Sequence, residues 1–337
     1  MATTRVLITG GAGFIGHHLV EQLLKTTDWE LVLLDRLDVS GNLNRLHEML
    51  TELQRQSLKL RPIMSRLTWV YHDLKAPINE AVAIAIGRVD GVLHLGASTH
   101  VDRSITNPME FVLDNVVGTA NVLEYVRNAE LPPWMIYFST DEVFGPAPDG
   151  KAYGEWDRYR SGNPYAASKA GGEELCIAYA NTYKLDIRVS HCMNVFGERQ
   201  HKEKFIPLVI GKVLRGELVT IHANADKTEA GSRCYIHARN VANAVQFIIE
   251  HGTAGDKYNI VGSQELDNLS LAQIIAEIME CKLHYELVDF HSSRPGHDLR
   301  YALDGRKMAA MGWHAPLDFV VTIERVVKWT LLHQQWL

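Results

Sequence analysis

Short apolar runs alternate with amphipathic stretches through the first half of the chain. The apolar runs predict strands at residues 6–9, 31–34, 67–71, 91–95, 134–139 and 187–191. The stretches between them have helical spacing, as at residues 14–24 and 109–128. Strands that alternate with helices form a parallel sheet covered on both faces, and ligands bind at the carboxyl ends of its strands. The pattern predicts an α/β fold with a doubly wound parallel sheet.

The second half of the chain is less regular. Its pattern predicts strands at 218–221 and 257–261 and helices at 271–280 and 323–332. We expect a first domain over residues 1–193 that carries the catalytic residues. A smaller mixed α/β substrate-binding domain would cover 194–337, with some of its segments returning to the first domain. Residues 47–66 are polar and helix-prone, and we interpret them as an insertion between the second and third strands.

Composition and charge exclude several classes of function. Hydrophobic residues make up 46% and charged residues 22%, as in a soluble globular protein. The net charge of −6 argues against nucleic-acid binding. No apolar run approaches the roughly 20 residues that span a bilayer, and the first residues lack the pattern of a signal peptide. Four widely spaced cysteines favour reduced thiols in a cytoplasm, and no motif indicates a metal site.

A glycine-rich segment follows the first predicted strand and opens the first predicted helix. Gly10, Gly13 and Gly16 are spaced as G-x-x-G-x-x-G, which lets a backbone turn tightly beside a pyrophosphate at a helix N-terminus. Asp35 ends the second strand, 19 residues after Gly16, where a carboxylate binds the adenosine ribose and repels a 2′-phosphate. This context predicts a Rossmann-type NAD site.

Two further residues bear on the cofactor. Arg36 leaves NADP open as an alternative, although Asp35 occupies the position that faces the ribose. Asp73 ends the third predicted strand, where it faces the adenine or is an ordinary residue of a strand-end turn.

Tyr165 and Lys169 stand at i and i+4, on one face of a predicted helix. A free tyrosine has a pKa of about 10, which is too high for a base at neutral pH. A neighbouring ammonium group favours the phenolate and lowers that pKa. Coming after a dinucleotide-binding half, the pair indicates a catalytic base and a residue that holds the nicotinamide ribose.

The fifth predicted strand runs into Thr140, Asp141 and Glu142, at the edge of the sheet where substrate would lie. Two adjacent acids there suggest acid and base chemistry beyond hydride transfer, and a solvated acidic loop is the alternative.

Several longer motifs make a family resemblance specific. They are residues 94–105 (HLGASTHVDRSI), 140–142 (TDE), 204–207 (KFIP) and 294–298 (RPGHD), together with the glycine segment and the Tyr165–Lys169 pair. In combination they resemble the dTDP-glucose 4,6-dehydratases, sugar-nucleotide dehydratases of the extended short-chain dehydrogenase/reductase class. The resemblance extends from about residue 5 to the C-terminal helix.

The resemblance implies an NAD-dependent lyase reaction on a dTDP- or UDP-glucose-type substrate. By this resemblance, Tyr165 takes the proton of the sugar 4-hydroxyl while C4 gives hydride to NAD. Glu142 then removes the C5 proton, Asp141 protonates the departing 6-hydroxyl, and hydride returns to C6. Thr140 would hydrogen-bond the C4 oxygen. The product would be a 4-keto-6-deoxy sugar, an intermediate of deoxysugar biosynthesis.

The resemblance also implies the residues that bind each ligand. The cofactor set comprises Gly10, Gly13, Phe14, Ile15, Gly16, Asp35, Arg36, Asp73, Leu74, Leu95, Ala97, Asn115, Ser139, Tyr165 and Lys169. The substrate set comprises His100, Ser104, Thr140, Asn194, Lys204, Arg233, Arg294 and His297. The family commonly forms homodimers through helices that correspond to residues 109–128 and 165–183.

Two segments depart from the family pattern. Cys234 follows Arg233 where an aspartate is usual, and residues 198–202 replace a proline-containing loop. Both departures lie in the nucleotide-binding half, so they leave the base of the nucleotide open. The alternative enzymes are a sugar-nucleotide 4-epimerase and a UDP-glucuronate decarboxylase, neither of which needs the adjacent acids. A non-catalytic NAD-binding regulator is the remaining alternative, but it would be expected to lose Tyr165 or Lys169.

Overall fold

A computed structural model describes residues 3–38, 40–56, 61–289 and 299–337. The chain divides into two compact units: residues 1–140, 164–191 and 242–258 form the first, and residues 141–163, 192–241 and 259–337 form the second. Both units are discontinuous in sequence. The division at residue 193 into a cofactor-binding domain and a substrate-binding domain stays a prediction.

The elements up to the sixth strand alternate as the sequence pattern predicts. They are β1 (Arg5–Thr9), α1 (Phe14–Thr26), β2 (Glu30–Asp35), α2 (Leu43–Gln56), α3 (Arg61–Met64), β3 (Leu67–Tyr71), α4 (Glu80–Ile86), β4 (Gly91–His94), α5 (Val101–Thr106), α6 (Pro108–Val112), α7 (Gly118–Asn128), β5 (Trp134–Thr140), α8 (Pro164–Tyr183) and β6 (Ile187–Cys192). A 3₁₀ turn (Asp141–Phe144) follows β5.

The remaining described elements are shorter on average. They are β7 (Asn194–Phe196), α9 (Phe205–Leu214), β8 (Val219–Ala223), β9 (Ser232–His237), α10 (Ala238–His251), β10 (Lys257–Ile260), β11 (Glu265–Asp267), α11 (Asn268–Ile278), β12 (Tyr285–Asp289), α12 (Arg306–Ala310), α13 (Phe319–Leu332) and a final 3₁₀ turn (Gln334–Trp336). The sequence pattern did not predict β7, β9, β11 and β12.

A seven-stranded sheet organises the first unit, with the strand order β10-β6-β5-β4-β1-β2-β3. The pairs β1–β2, β1–β4, β2–β3 and β4–β5 are all parallel. Strands buried on both faces are apolar throughout, and Leu7, Val32 and Val92 are fully buried in this core. Helices α7 and α8 contribute Val122 and Cys176 to the same cluster. The predicted doubly wound fold class is confirmed.

The helix predicted at 109–128 is interrupted. A π turn (Leu113–Val117) separates α6 from α7, and both Asp114 and Asn115 are buried there. A π turn carries one extra residue per turn, so it shifts the face that the following residues present. Two polar side chains therefore point inward from a helix whose pattern predicts a regular amphipathic face.

The segment interpreted as an insertion from residue 47 belongs to a longer helix. Helix α2 begins at Leu43, and Leu46, Met49, Leu50 and Leu53 are buried at helical spacing. The apolar stripe that packs the helix therefore begins before the polar run, and the interpretation of residues 47–66 as an insertion stays a prediction. Residues 57–60 lie outside the described residues.

The second unit contains two small sheets. In the first, β9 lies between β7, which is parallel to it, and β11, which is antiparallel to it. In the second, β8 and β12 are parallel. A separate apolar cluster joins α9, α11 and α13, with Val209, Ile275 and Ile323 fully buried. Among the described residues, no helix combines the length and apolarity that a membrane span requires.

Candidate active site

The glycine-rich turn between β1 and α1 is closely packed. Gly10 has a φ of +70°, and a Cβ there would lie 2.9 Å from the backbone nitrogen of Gly96. A Cβ at Gly16 would collide with the carbonyl oxygen of Gly10. The Gly13 N–H donates to that same carbonyl at 2.9 Å. The backbone can turn this tightly only because side chains are absent at these positions.

The turn leads into the N-terminus of α1 without a side-chain cap. Gly13 occupies the N-cap position, and no side chain accepts a hydrogen bond from the first turn of this fully described helix. Phe14 and Ile15 are the first two helical residues. The N–H groups at such an uncapped end, together with the helix dipole, suit an anion such as a pyrophosphate.

Asp35 ends β2 beside the same turn. Its carboxylate accepts from the Ala12 N–H at 3.1 Å and from the Leu37 N–H at 2.9 Å. Burial raises the pKa of Asp35, and these two hydrogen bonds act in the opposite direction. Arg45 of α2 also reaches the turn, donating to the Ala12 carbonyl at 3.3 Å. The acidic residue therefore braces the glycine segment as well as occupying the predicted ribose position.

Arg36 is held in a cluster of carboxylates. Its two Nη atoms donate to the two carboxylate oxygens of Asp114 at 2.6 and 2.9 Å, and its Nε donates to Asp38 at 2.6 Å. Asp73 lies 3.6 Å from Arg36 and 3.5 Å from Lys75. The hydrogen bonds that Arg36 donates to Asp114 raise the pKa of Arg36. Burial acts to raise the pKa of Asp73, but the Lys75 N–H and the nearby cations outweigh it and lower that pKa.

Asn115 fastens the loop after β4 to α8. Its side-chain oxygen accepts from the Ser98 N–H at 2.8 Å. Its amide donates to the Ser98 carbonyl and to the Ser168 hydroxyl, both at 2.9 Å. The predicted cofactor residues Leu95 and Ala97 belong to the loop that Asn115 holds. Asn121 donates to the carbonyl of Leu74 at 2.7 Å.

Tyr165 and Lys169 lie one turn apart on α8, as their spacing predicts, and both are buried. The Tyr165 N–H donates to the Ser104 hydroxyl at 3.1 Å, and that hydroxyl donates to the Val101 carbonyl at 2.6 Å. Lys169 Nζ lies 4.2 Å from the centroid of the Tyr137 ring. The start of α8 is therefore anchored to α5 through Ser104, a residue predicted to contact substrate.

The buried His94 also lies within the electrostatic influence of Lys169. Its two ring nitrogens lie 2.7 Å from the Thr9 hydroxyl and 3.1 Å from the Thr119 hydroxyl. Burial, with a smaller contribution from the Lys169 ammonium, lowers the pKa of His94 to about 3. The imidazole is neutral at physiological pH, where it links β1, β4 and α7.

The two predicted acids occupy the 3₁₀ turn that follows β5. Ser139 and Thr140 are the last residues of the strand, and Asp141 begins the turn. The Asn163 amide donates to the Glu142 carboxylate at 3.0 Å. Asn163 immediately precedes α8, and sequence reasoning missed it because a lone asparagine before a helix reads as an ordinary cap.

The predicted substrate residues are dispersed. His100 precedes α5, Asn194 is exposed at the start of β7, and Lys204 precedes α9. Arg233 of β9 donates to the carbonyls of Ser232 and Leu299 at 2.6 and 2.7 Å, and its guanidinium lies 4.6 Å from the centroid of the Tyr301 ring. The remaining two, Arg294 and His297, lie outside the described residues.

Sequence reasoning missed a buried charge cluster in the second unit. Glu198 accepts from Arg239 Nη1 at 2.7 and 2.8 Å, and its carboxylate lies 3.0 Å from Arg325 and 3.3 Å from His237. Burial lowers the pKa of His237, while Glu198 acts to raise it. The departure from the family pattern at residues 198–202 was the only sign of this cluster in the sequence. Arg325 lies on α13, far along the chain, so no local motif connects it to Glu198.

Comparison with known proteins identifies the family. Residues 7–326 match the family model described as GDP-mannose 4,6 dehydratase. The dTDP-glucose 4,6-dehydratase 1 of Escherichia coli strain K12 is 33% identical over 98% of this chain and 94% of its own length. The chain belongs to this nucleotide-sugar 4,6-dehydratase family. The resemblance inferred from the motifs is confirmed.

Other members of the 4,6-dehydratase family match equally fully. A probable dTDP-glucose 4,6-dehydratase of Sinorhizobium fredii is 34% identical over 98% of this chain and 94% of its own length. The solved structure of DesIV, a dTDP-glucose 4,6-dehydratase of Streptomyces venezuelae with NAD and TDP bound, has a TM-score of 0.86 at 32% identity, covering 99% and 98% of the two chains. A UDP-glucose 4-epimerase of Thermus thermophilus has the same fold at 26% identity, with a TM-score of 0.82.

Proposed function

We propose that this protein is an NAD-dependent hydro-lyase that converts dTDP-glucose to its 4-keto-6-deoxy product. The pair of adjacent acids at the end of β5 carries the proposal. Asp141 and Glu142 follow Thr140 directly, and Glu142 is held by Asn163. An epimerase needs only to oxidise and reduce C4, whereas removing water from C5 and C6 needs a base and an acid of its own.

The residues of the first unit fit NAD. The glycine turn leads into an N-terminus of α1 that has no side-chain cap and suits a pyrophosphate, and Asp35 stands at the end of β2. The NAD-bound structures of relatives support the same cofactor. Bound NAD supplies the redox chemistry by accepting hydride from C4 of the sugar and returning it to C6.

The chain's own groups would move the protons. Tyr165 takes the proton of the 4-hydroxyl, and the Lys169 ammonium stabilises the phenolate that Tyr165 needs for this step. The resulting 4-ketone acidifies the C5 proton, which the Glu142 carboxylate accepts. Asp141, in its protonated form, gives its proton to the 6-hydroxyl, so the C6–O bond breaks and water leaves as the C5–C6 double bond forms. Glu142 returns its proton to C5 as hydride reaches C6, and the proton taken by Tyr165 replaces, through solvent, the one that Asp141 gave. The net change is then the loss of one water.

The substrate class rests on the relatives and on cations of the second unit. Arg233, Lys204 and Asn194 belong to that unit and supply donors suited to a diphosphate. Arg294 and His297 remain predicted nucleotide contacts. The dTDP-glucose dehydratases among the relatives favour thymine as the base.

A label experiment tests the reaction. With dTDP-glucose deuterated at C4, the wild-type protein should release one water and give a product with deuterium on its methyl group. Glu142→Gln should still oxidise C4 but not release water, because an amide cannot accept the C5 proton. Glu80→Gln, at an exposed position on α4, serves as the matched control and should behave as wild type. Deuterium that returns to C4 without loss of water would instead indicate an epimerase.

A homodimer and a cytoplasmic location complete the proposal. The helical run from α6 exposes Met109, Val112 and Leu113, an apolar surface that suits helix packing between two copies. Sedimentation at twice the chain mass of 37.9 kDa would support the dimer, and sedimentation as a monomer would reject it. The cysteines Cys176, Cys192, Cys234 and Cys281 are all unbridged, which supports a reducing compartment.

A further inference from the structure

Arg36 holds the position from which an arginine would recognise NADP. It immediately follows Asp35, at the end of the strand that carries the ribose-binding carboxylate. An arginine near this point accommodates a 2′-phosphate in NADP-dependent relatives of the fold. The identity of residue 36 therefore argues for NADP, while Asp35 argues for NAD.

The contacts of Arg36 resolve this conflict. Both of its Nη atoms are bound by the Asp114 carboxylate, and its Nε is bound by Asp38. A bidentate pair of this geometry fixes the plane of the guanidinium as well as its position. With Asp73 at 3.6 Å, three carboxylates surround this one guanidinium, and a fourth anionic group would be repelled.

We propose that Asp114 determines cofactor choice by holding Arg36 in this pair, so that Arg36 cannot bind a 2′-phosphate. The inference rests on the proposed NAD site and adds to it a second specificity residue besides Asp35. Asp114 acts through Arg36, and no contact between Asp114 and the cofactor is required.

Asp114 is firmly placed for this role. It lies in the π turn between α6 and α7, and its side chain is 4% exposed. The Ser98 hydroxyl donates to its Oδ2 at 2.6 Å, and Lys75 Nζ lies 3.9 Å from its Oδ1. Because these contacts hold the carboxylate where Arg36 meets it, the pair forms without ordering an exposed side chain.

The test compares 5′-AMP with 2′,5′-ADP (adenosine 2′,5′-bisphosphate), two ligands that differ only in the 2′-phosphate. Titration calorimetry on protein stripped of cofactor gives the ratio of their dissociation constants. Asp114→Asn should improve the relative affinity for 2′,5′-ADP by about tenfold or more, because Arg36 is released to form charge-assisted hydrogen bonds. Asp38→Asn, in the exposed loop, should give a smaller change in the same direction.

A double-mutant cycle identifies Arg36 as the residue that is released. Arg36→Met alone should change the ratio less than about threefold, because Asp114 already occupies that side chain. In the Asp114→Asn background, the same substitution should abolish the gain. Asp90→Asn is the control, because it removes an exposed carboxylate just before β4, at the amino ends of the parallel strands. It should leave the ratio of the two dissociation constants unchanged.

The outcomes separate the two proposals. If wild-type protein binds neither 5′-AMP nor NAD, the proposed cofactor site fails. If it binds both, and Asp114→Asn does not raise the relative affinity for 2′,5′-ADP, this inference alone is overturned. A large loss of 2′,5′-ADP affinity on Arg36→Met in the wild-type background would also overturn it. Unchanged 5′-AMP affinity in Asp114→Asn shows that the variant is folded.

Discussion

The two units place their charged groups in different ways. In the first unit, most of the predicted site residues follow strand ends or lie one helical turn apart, as with Asp35 after β2 and the Tyr165–Lys169 pair on α8. In the second unit, the principal cluster joins Glu198, Arg239 and Arg325, which come from a loop and two separate helices. One arrangement is local in sequence, and the other exists only after folding.

The difference shows that the predicted site residues lie in short local motifs, whereas the buried charge of the second unit is balanced by residues distant in sequence. In a parallel sheet the carboxyl ends of the strands lie at one edge, so the short motifs that follow each strand come close together. The described residues of the second unit form sheets of three and two strands rather than one large parallel sheet. Its buried carboxylate at Glu198 is compensated by cations that no local pattern connects to it.

The largest expected effect tests the local arrangement. Tyr165→Phe removes only the hydroxyl proposed as the base, and we expect kcat to fall about 10²–10⁴-fold. The dissociation constant for NAD should be nearly unchanged, because the ring and the Lys169 side chain remain. Tyr71→Phe, at an exposed edge position, should leave kcat as in wild type. Turnover close to wild type in Tyr165→Phe would remove this residue from the mechanism.

The next effect tests the dispersed arrangement. Glu198→Gln keeps the shape of the side chain but leaves the buried His237 and the half-buried Arg239 without their carboxylate. Breaking a buried ion pair in this way costs about 3–5 kcal/mol, so the midpoint of urea unfolding should fall markedly. Glu324→Gln, which breaks an exposed pair with Lys328, should cost about 0.5 kcal/mol or less. Similar costs for the two variants would show that the Glu198 cluster is not important for stability.

The smallest effect concerns pH and the interior of the first unit. The pKa of His94 is about 3 in the folded chain, against 6.5 for an unperturbed histidine. The unfolded chain therefore binds a proton that the folded chain does not, and stability is lost as pH falls from 6.5 towards 3. Between pH 7 and pH 5 this one group accounts for about 2 kcal/mol of the loss.

Urea unfolding at these two pH values measures that contribution. In His94→Gln, the difference in unfolding free energy between pH 7 and pH 5 should shrink by about this 2 kcal/mol. The exposed His47→Gln should show the same difference as wild type. An unchanged difference in His94→Gln would mean that the buried imidazole does take up a proton.

Sequence reasoning predicted the features that depend on local pattern. The strands of the large sheet, the glycine turn and the Tyr165–Lys169 pair follow from periodicity and spacing, and the family followed from contiguous motifs. The Arg36–Asp114 pair could not be predicted, because it needs a bidentate contact between residues 78 positions apart. The strands β7 and β11 were also missed, because three residues are too few to show a period. Strand β9 was missed because Ser232, Arg233 and His237 interrupt its apolar pattern.

Because of the π turn, the number of residues between α6 and α7 matters more for the structure than which residues they are. An α-helix advances about 100° per residue, so deleting one residue from the turn would rotate one flanking helix by that angle relative to the other. Asp114 would then lose either Arg36 or Ser98, and Asn115 would lose Ser98 or Ser168. Point substitutions along the exposed face of α7 do not change the rotation of one helix relative to the other. In evolutionary terms, this helical run should tolerate many exchanges of residue but very few changes in length.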